Sequence, residues 1–432
     1  MSKISKPAIA ALVLPFIAFI GVGLWSPPGL AVAAPKPALA GGLSFSEKQV
    51  AGGPSDFMTV RHIKMAGGNR DIGKKLAEIA KNHHAVTLRT TDPTTLRARR
   101  DFYRRNYPNH FDRATGVAEA FGLTLETANV DAMELPLNLE LSAGCSTVYY
   151  PPSYTESGHA MLSRNYDWNT GTFAEWLGQP SKSNSRASTA DVYVMEVYPD
   201  KGYPCLYLCA YDLLGACLDG INSAGLTVAM LAVYDGPQSN DPARVSQAGL
   251  GEVEVPRFLL DTCATVEEAK TALMTTKQYY GFVPSHYIIG DRSGKSFLWE
   301  YSTGHNREYV TDANGQPQFI TNHPVYKYKS VEDLPKQEPG GGSFYRFRRM
   351  QEEVAKVGGK HSLDHIKQTN FCVRASAQAA SEGRKPLRTL WHSIYDCQDL
   401  TLQVDFYLGE GTSPGASPRS SGYLTFRLEN GK

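Results

Sequence analysis

Net charge is nearly absent: 44 Lys and Arg against 43 Asp and Glu leave a formal +1 over 432 residues. That balance gives no global electrostatic reason to expect nucleic acid or an anionic membrane as partner. Cysteine is scarce and odd in number, with seven residues, so at least one thiol stays unpaired. Cys205 and Cys209 lie in an apolar, aromatic stretch that reads as a strand, where four residues span roughly 13 Å, too far for a bond between them. No cysteine spacing fits a zinc finger, no motif calls for a metal or organic cofactor, and no internal repeat is visible. With hydrophobic residues at 42% and charged residues at 20%, the chain buries one large core or two modest ones without staples.

What is present begins at the N-terminus. Lys3 and Lys6 precede an apolar run from Ala8 to Trp25, and small residues follow at Ala31-Val32-Ala33 and Ala38-Leu39-Ala40. This reads as a secretory signal over residues 1–40, with a retained membrane anchor as the alternative, so the expected location is the periplasm or beyond. A Gly-, Ser- and Pro-rich stretch at 41–56 reads as a linker, and residues 57–144 as a mostly helical segment. Within it, Asp71 to His84 shows helical spacing, Asp92-Pro93 fits a cap with proline in the first turn, and a third helix covers His110 to Phe121. Arg97, Arg99, Arg100, Arg104 and Arg105 read as a solvated helix face.

After Leu141 strands dominate. Runs at Ser146–Tyr150, Ala160–Asn165, Asp191–Val197, Cys205–Tyr211, Gly215–Asp219 and Leu226–Val233 have strand character. A helical pair follows, its second member opened by the capping box Thr265-x-x-Glu268, and then a hairpin around Asp291-Arg-Ser-Gly294. Helices at Phe344–Lys356 and Ser362–Cys372 precede closing strands near Thr389–Tyr395 and Thr401–Tyr407, with a last one at Tyr423–Leu428. The Gly340–Gly342 loop has no Lys-Ser/Thr after it and reads as a linker. Strands and helices segregate, which favours a layered α+β fold over a doubly wound parallel sheet.

The chemistry concentrates at Gly144-Cys145-Ser146. A cysteine that opens a strand directly after glycine suits self-cleavage, because glycine leaves its carbonyl open to the thiol and tolerates unusual backbone angles. The cut would create an N-terminal cysteine whose α-amine, with an ordinary pKa near ~8, serves as base for its own thiol. Arg164-x-x-Asp167 follows on the next strand: a guanidinium near a thiol favours thiolate, and a carboxylate near an amine holds it. By spacing alone that pair is weak evidence, since a lone Arg-x-x-Asp is usually a surface ion pair.

Together with Asp219-Gly-Ile-Asn222-x-x-Gly225-Leu226, Thr321-Asn322-His323-Pro324, Tyr345-Arg346-Phe347 and Leu390-Trp391 through Asp396, this order of motifs resembles two related N-terminal-nucleophile families. These are the choloylglycine hydrolase and penicillin V acylase family, and the acyl-CoA:6-aminopenicillanate acyltransferase family. The resemblance implies an α+β fold, the four-layer αββα sandwich, with the helical segment before Cys145 as pro-segment and residues 145–432 as catalytic region. It also implies roles: Cys145 as nucleophile and base, Asp167 on its amine, Arg164 tuning the thiol, Asn322 donating to the oxyanion, and Gly144-Cys145 as the cleavage point. Arg346 matches a site arginine. Asn222, Trp168 and Tyr234 are further candidates for the substrate side, Tyr149, Tyr150 and Tyr166 for an apolar acyl pocket.

One departure stands out. Where choloylglycine hydrolases carry an oxyanion-side asparagine, this chain has Ala232, so a backbone N–H of Leu231 or Ala232 would have to replace it. That and the long segment before Cys145 favour the acyltransferase-like branch. The expected partner is a small acyl-amide, with water or a second amine as acceptor; a homo-oligomer is compatible with everything above. Two other readings stay open: a non-catalytic binding protein that never frees the Cys145 amine, and a papain-like protease using His159, His286, His323 or His392 as base. None of these histidines has that family's sequence context.

Overall fold

The computed structural model describes residues 42–127, 129–137, 143–172, 175, 186–233, 247–281, 283–302, 307–336, 342–375, 387–413 and 416–429. The expected signal segment and Tyr234 lie outside the described residues, as do Gly340 and Gly341.

Two sheets organise the described chain. The larger runs in the order β1 (Ser44–Ala51), β2 (Thr59–Gly67), β7 (Asp191–Pro199), β8 (Cys205–Cys209), β9 (Asp219–Asn222), β10 (Thr227–Ala232), β11 (Ser285–Gly290), β12 (Ser296–Ser302), β13 (Arg307–Asp312). The smaller runs β14 (Gln318–Ile320), β5 (Ala143–Tyr150), β6 (Met161–Asn169), β15 (Leu387–Asp396), β16 (Thr401–Gly409), β17 (Arg419–Arg427). A small pair joins β3 (Arg89–Thr90) to β4 (Val130–Asp131). The helices are α1 (Asn69–His84), α2 (Pro93–Asn106), α3 (Pro108–Ala120), α4 (Glu254–Thr262), α5 (Val266–Thr275), α6 (Ser343–Ala355) and α7 (Leu363–Phe371).

Strand alternation distributes the core. Ile63, Met65, Tyr207 and Met230 of the larger sheet pack on Ile72 and Leu76 of α1, Val117 of α3 and Leu259 of α4. The opposite set, Val194, Leu208, Ala229 and Ile288, meets Cys145, Leu162, Tyr166, Trp391 and Val404 of the smaller sheet. On that sheet's other face, Val148, Tyr150, Met161 and Ile394 pack on Met350 and Val354 of α6 and Ile366 of α7. The α+β class read from the segregated pattern is therefore right, with sheets packed against helices.

The predicted caps form. Asp92 accepts the N–H groups of Thr94 and Thr95, and Thr265 accepts that of Glu268. Gly290 pairs with Ser296 across the expected hairpin.

Four expectations need correction. The 41–56 linker contains β1, and the start of the helical segment is β2, which pairs in parallel with β7. β1 is mostly exposed on the sheet's edge, so it needs little apolar sequence and reads as loop. Gly215–Asp219 is not a strand; the 212–217 turn is held by Asp212, which accepts from Leu135, Leu214 and Gly215, and the strand begins at Asp219. Cys205 to Tyr211 stops being strand at Cys209. Arg99 is fully buried, ion-paired with Asp131 at 3.0 Å and Glu134 at 2.7 Å, whereas Arg97, Arg104 and Arg105 are exposed as read. All seven cysteines are free thiols, Cys205 and Cys209 included.

Candidate active site

Cys145 sits near the head of β5, and β6 runs antiparallel beside it with Gly144 opposite Asp167, Cys145 opposite Tyr166 and Thr147 opposite Arg164. Alternation then sends the Cys145 and Arg164 side chains between the sheets, and those of Ser146 and Asp167 to the helix-covered outer face. Gly144 has a steric reason: a Cβ there would lie 3.1 Å from Asp167 Cβ and 3.3 Å from its Oδ2.

Between the sheets, Arg164 Nη2 donates to Cys145 Sγ at 3.5 Å. The guanidinium is fixed from behind by the Leu218 carbonyl, the Met230 carbonyl and the Asp219 carboxylate at 2.9 Å. Asp219 in turn accepts from Ser393 Oγ. Burial pushes the Cys145 thiol above its ordinary pKa, Arg164 pulls it back, and Asp167 adds to the rise. Against the desolvation that burial imposes, Asp219 and the thiol hold Arg164 above its ordinary value.

At the edge of β5, beyond the last pairing with β14, the Thr321–Pro324 loop takes over. The Cys145 backbone N–H donates to Asn322 Oδ1 at 2.9 Å, and Asn322 Nδ2 donates to the Ala232 carbonyl at 2.8 Å. The loop is pinned by Ser343 Oγ, which accepts the Asn322 N–H, and by His286 Nε2, which donates to the Thr321 carbonyl while Nδ1 faces Glu300. From α6, Arg346 donates to the Cys145 carbonyl, to Ser146 Oγ at 2.7 Å and to Asn322 Oδ1 at 2.6 Å, and stands 3.9 Å from Asp167 Oδ2. Thr389 Oγ1 donates to Asp167 Oδ1 at 2.6 Å. Burial raises the Asp167 pKa, opposed by Arg346 and the Thr389 hydrogen bond.

Gly144, Cys145, Arg164, Asp167, Asn322 and Arg346 are thus gathered at one place, and Cys145, Asp167 and Asn322 are each 1% exposed. Trp168 lies beside them in an aromatic stack with Tyr166, which itself lies 3.9 Å from the Trp391 ring. Asn222 is not brought to the thiol: its Nδ2 is spent on the Leu260 and Cys263 carbonyls and its Oδ1 on the Ala224 and Leu226 N–H groups, so it ties the β9–β10 turn to α4. Tyr149 reaches the Asp291 carbonyl and Tyr150 packs on His361, both away from the thiol. Each candidate histidine is committed elsewhere. His159 pairs with Asp396, His286 with Glu300, His323 with Ser343 and His392 with Ser163, and burial pushes His323 down to about 3.

Sequence reading missed Asp219, Thr389, Ser343 and the His286–Glu300 pair. Asp219 opens one of the motifs named above, and His286 was named only as a base for the protease alternative.

The sequence model of the family described as acyl-coenzyme A:6-aminopenicillanic acid acyl-transferase matches residues 154–410. Cys145 lies just upstream of that span. The penicillin V acylase of Pectobacterium atrosepticum is 25% identical over 204 residues, 44% of this chain and 52% of that protein, so the chain spans about half the length of the curated relative it matches. Among solved structures, a mutant conjugated bile acid hydrolase from Clostridium perfringens aligns with a TM-score of 0.43 at 16% identity, covering 66% of this chain and 97% of that one. The penicillin V acylase from Agrobacterium tumefaciens aligns with a TM-score of 0.41 at 18% identity, covering 64% and 84%.

Proposed function

The chain belongs to the acyl-coenzyme A:6-aminopenicillanic acid acyl-transferase family, and from that premise we propose that it is an exported amidase whose nucleophile, Cys145, is freed by cleavage of its own Gly144–Cys145 bond. The observation that carries the reading is the meeting of Arg164, Asn322 and Asp167 around a cysteine that follows glycine at a strand's head.

In the uncut chain the Cys145 nitrogen is an amide and no base; the thiol attacks the Gly144 carbonyl, the C–N bond breaks as the nitrogen takes up a proton, and hydrolysis of the resulting thioester leaves a free α-amine and a free thiol. That amine lies where Asn322 Oδ1 accepts from the Cys145 nitrogen, and it takes the thiol proton as the sulfur attacks a substrate amide carbon. Arg164, held by Asp219, favours the thiolate.

The tetrahedral intermediate needs donors for its oxyanion. Asn322 Nδ2 has two protons and gives one to the Ala232 carbonyl, leaving one for substrate. The second donor is the Ala232 N–H. Val233 N donates to the Pro284 carbonyl, and residue pairs alternate along β10 and β11, so the Leu231 N–H faces β11 while that of Ala232 turns away, toward the side where its carbonyl meets Asn322. Collapse expels the amine, protonated by the α-amine, and water or another amine releases the acyl group.

Water is the favoured acceptor, because an exported enzyme does not meet cytosolic acyl-CoA; the substrate class is a small acyl-amide, like that named for the related penicillin V acylase. The test is intact mass and N-terminal sequencing of purified protein beside Cys145→Ala. The expected result is two chains in wild type, one beginning Cys-Ser-Thr-Val, and a single inactive chain in the variant; cut, active Cys145→Ala protein ends the proposal.

A further inference from the structure

The strand that carries Cys145 is gripped a second time, one residue downstream, by groups the proposed chemistry does not use. On α7, Asn370 Nδ2 donates to the Ser146 carbonyl at 3.1 Å. Its Oδ1 accepts from Ser163 Oγ at 2.8 Å, Ser163 Oγ meets His392 Nε2 at 2.9 Å, and His392 Nδ1 meets the Tyr423 hydroxyl. The Asn370 carbonyl, near the helix end, accepts from the Val373 N–H at 3.3 Å and from Asn165 Nδ2 at 2.7 Å. Asn370, Ser163, Asn165 and His392 are completely buried.

Every proton in this chain has a forced place. The Ser146 carbonyl can only accept, so the amide nitrogen of Asn370 must face it and its oxygen must face Ser163. Ser163 therefore donates to Asn370, which leaves His392 Nε2 to donate to Ser163. Burial holds His392 neutral, with its pKa well below the ordinary value, so Nδ1 is bare and Tyr423 donates to it. The result is one directed line from Tyr423 on β17 to the backbone of the residue after the nucleophile.

Its consequence lies in the cut chain. Before cleavage Cys145 is steadied on its upstream side by Gly144 and Ala143, paired with Asp167 and Trp168. Cleavage removes that support and makes Cys145 a strand terminus, where chains fray. What remains on this side is the ladder with β6 from the Cys145–Tyr166 pair onward, Arg164, Asn322 and Arg346 on Cys145, and Arg346 and Asn370 on Ser146.

We propose that Asn370 is a positioning residue: through the Ser146 carbonyl, and backed by Ser163, His392 and Tyr423, it keeps the new N-terminal cysteine seated between its own amine and Arg164. This rests on the reading of Cys145 as a processed N-terminus.

The experiment uses full-length protein, with cleavage first verified by N-terminal sequencing, and iodoacetamide as probe. Carboxamidomethylation of Cys145 is followed by mass spectrometry as a function of pH, and melting temperature is recorded for each variant. In Asn370→Ala the alkylation midpoint is expected to rise by about one pH unit, roughly a tenfold slower reaction near neutrality, because the thiol loses its registered neighbours. Asn370→Asp separates positioning from mere stability: the introduced carboxyl can donate to the Ser146 carbonyl only when protonated, so its rate relative to wild type should recover as pH falls. Tyr423→Phe, which removes only the far end of the line, should give a smaller shift in the same direction. An unmoved midpoint in cut Asn370→Ala and Asn370→Asp overturns the role of Asn370 alone, as does a loss that follows melting temperature with no pH dependence. A wild-type chain that stays uncut overturns the reading of Cys145 and this role with it.

Discussion

Asn322 and Gly144 show how single side chains divide the work. Asn322 uses its oxygen for the Cys145 nitrogen and Arg346, and its nitrogen for Ala232, so under the proposed function its removal takes away an oxyanion donor and an anchor of the amine. Asn322→Ala should lower kcat roughly a hundredfold, the usual loss for one such donor, measured on whatever amide screening identifies, with self-cleavage less affected; an unchanged kcat removes Asn322 from the site. At Gly144 the limit is space. Gly144→Ala puts a methyl group 3.1 Å from Asp167 Cβ, which pushes the scissile strand away from β6 and should slow self-cleavage about tenfold, as small misplacements of reacting groups do. The ratio of cut to uncut chain over time reads this directly. Cys145 could be singled out from sequence because it follows glycine at a strand's start, and Arg164, Asp167 and Asn322 because the order of their motifs resembles that of related families. Asp219, Thr389 and Ser343 could not, since an aspartate, a threonine and a serine have many uses and only folding brings these within reach of the site.

At the scale of elements, the seam between α2–α3 and α4 joins the segment before Cys145 to the region after it through buried polar groups. Arg113 and Tyr107 both reach Asp261, and Tyr103 donates to Glu254. Burial, with Glu134 nearby and against the pull of Arg99, raises Glu254 to about 8. A carboxyl raised in the folded state adds stability that is complete below its unfolded pKa and is lost as pH climbs through the folded value. From Glu254, then, stability should decline between about pH 5 and 8, and Glu254→Gln should flatten that part of a melting-temperature profile. A slope equal in both proteins assigns the effect elsewhere. Helices before Cys145 were legible because α1 carries 3.6-residue periodicity and α2 has a capped start at Asp92-Pro93. β1 and β2 were not: an exposed edge strand and one whose burial does not alternate cleanly have little signature of their own, and it is the pairing of β1 with β2 and of β2 with β7 that makes them strands.

For the whole molecule, the segment before Cys145 is part of the folded structure. It supplies two of the nine strands of the larger sheet, one paired in parallel with β7, and helices α1 to α3, which share that sheet's face with α4 and α5. After cleavage both chains should therefore co-elute in size-exclusion chromatography and separate only in denaturant; a free catalytic chain under native conditions would show that the segment is discarded. The sequence by itself determined the α+β class, most helices and hairpins and the family, and singled out Cys145 as candidate nucleophile, because periodicity, capping and motif order are written in the chain itself. Tertiary structure alone decided that Arg99 is buried, that Asn222 serves a turn, that Asp219 stands behind Arg164, and that residues 44–51 are a strand. Those facts depend on which distant segment occupies the neighbouring space, and burial, counter-ions and hydrogen-bond partners are properties of that space.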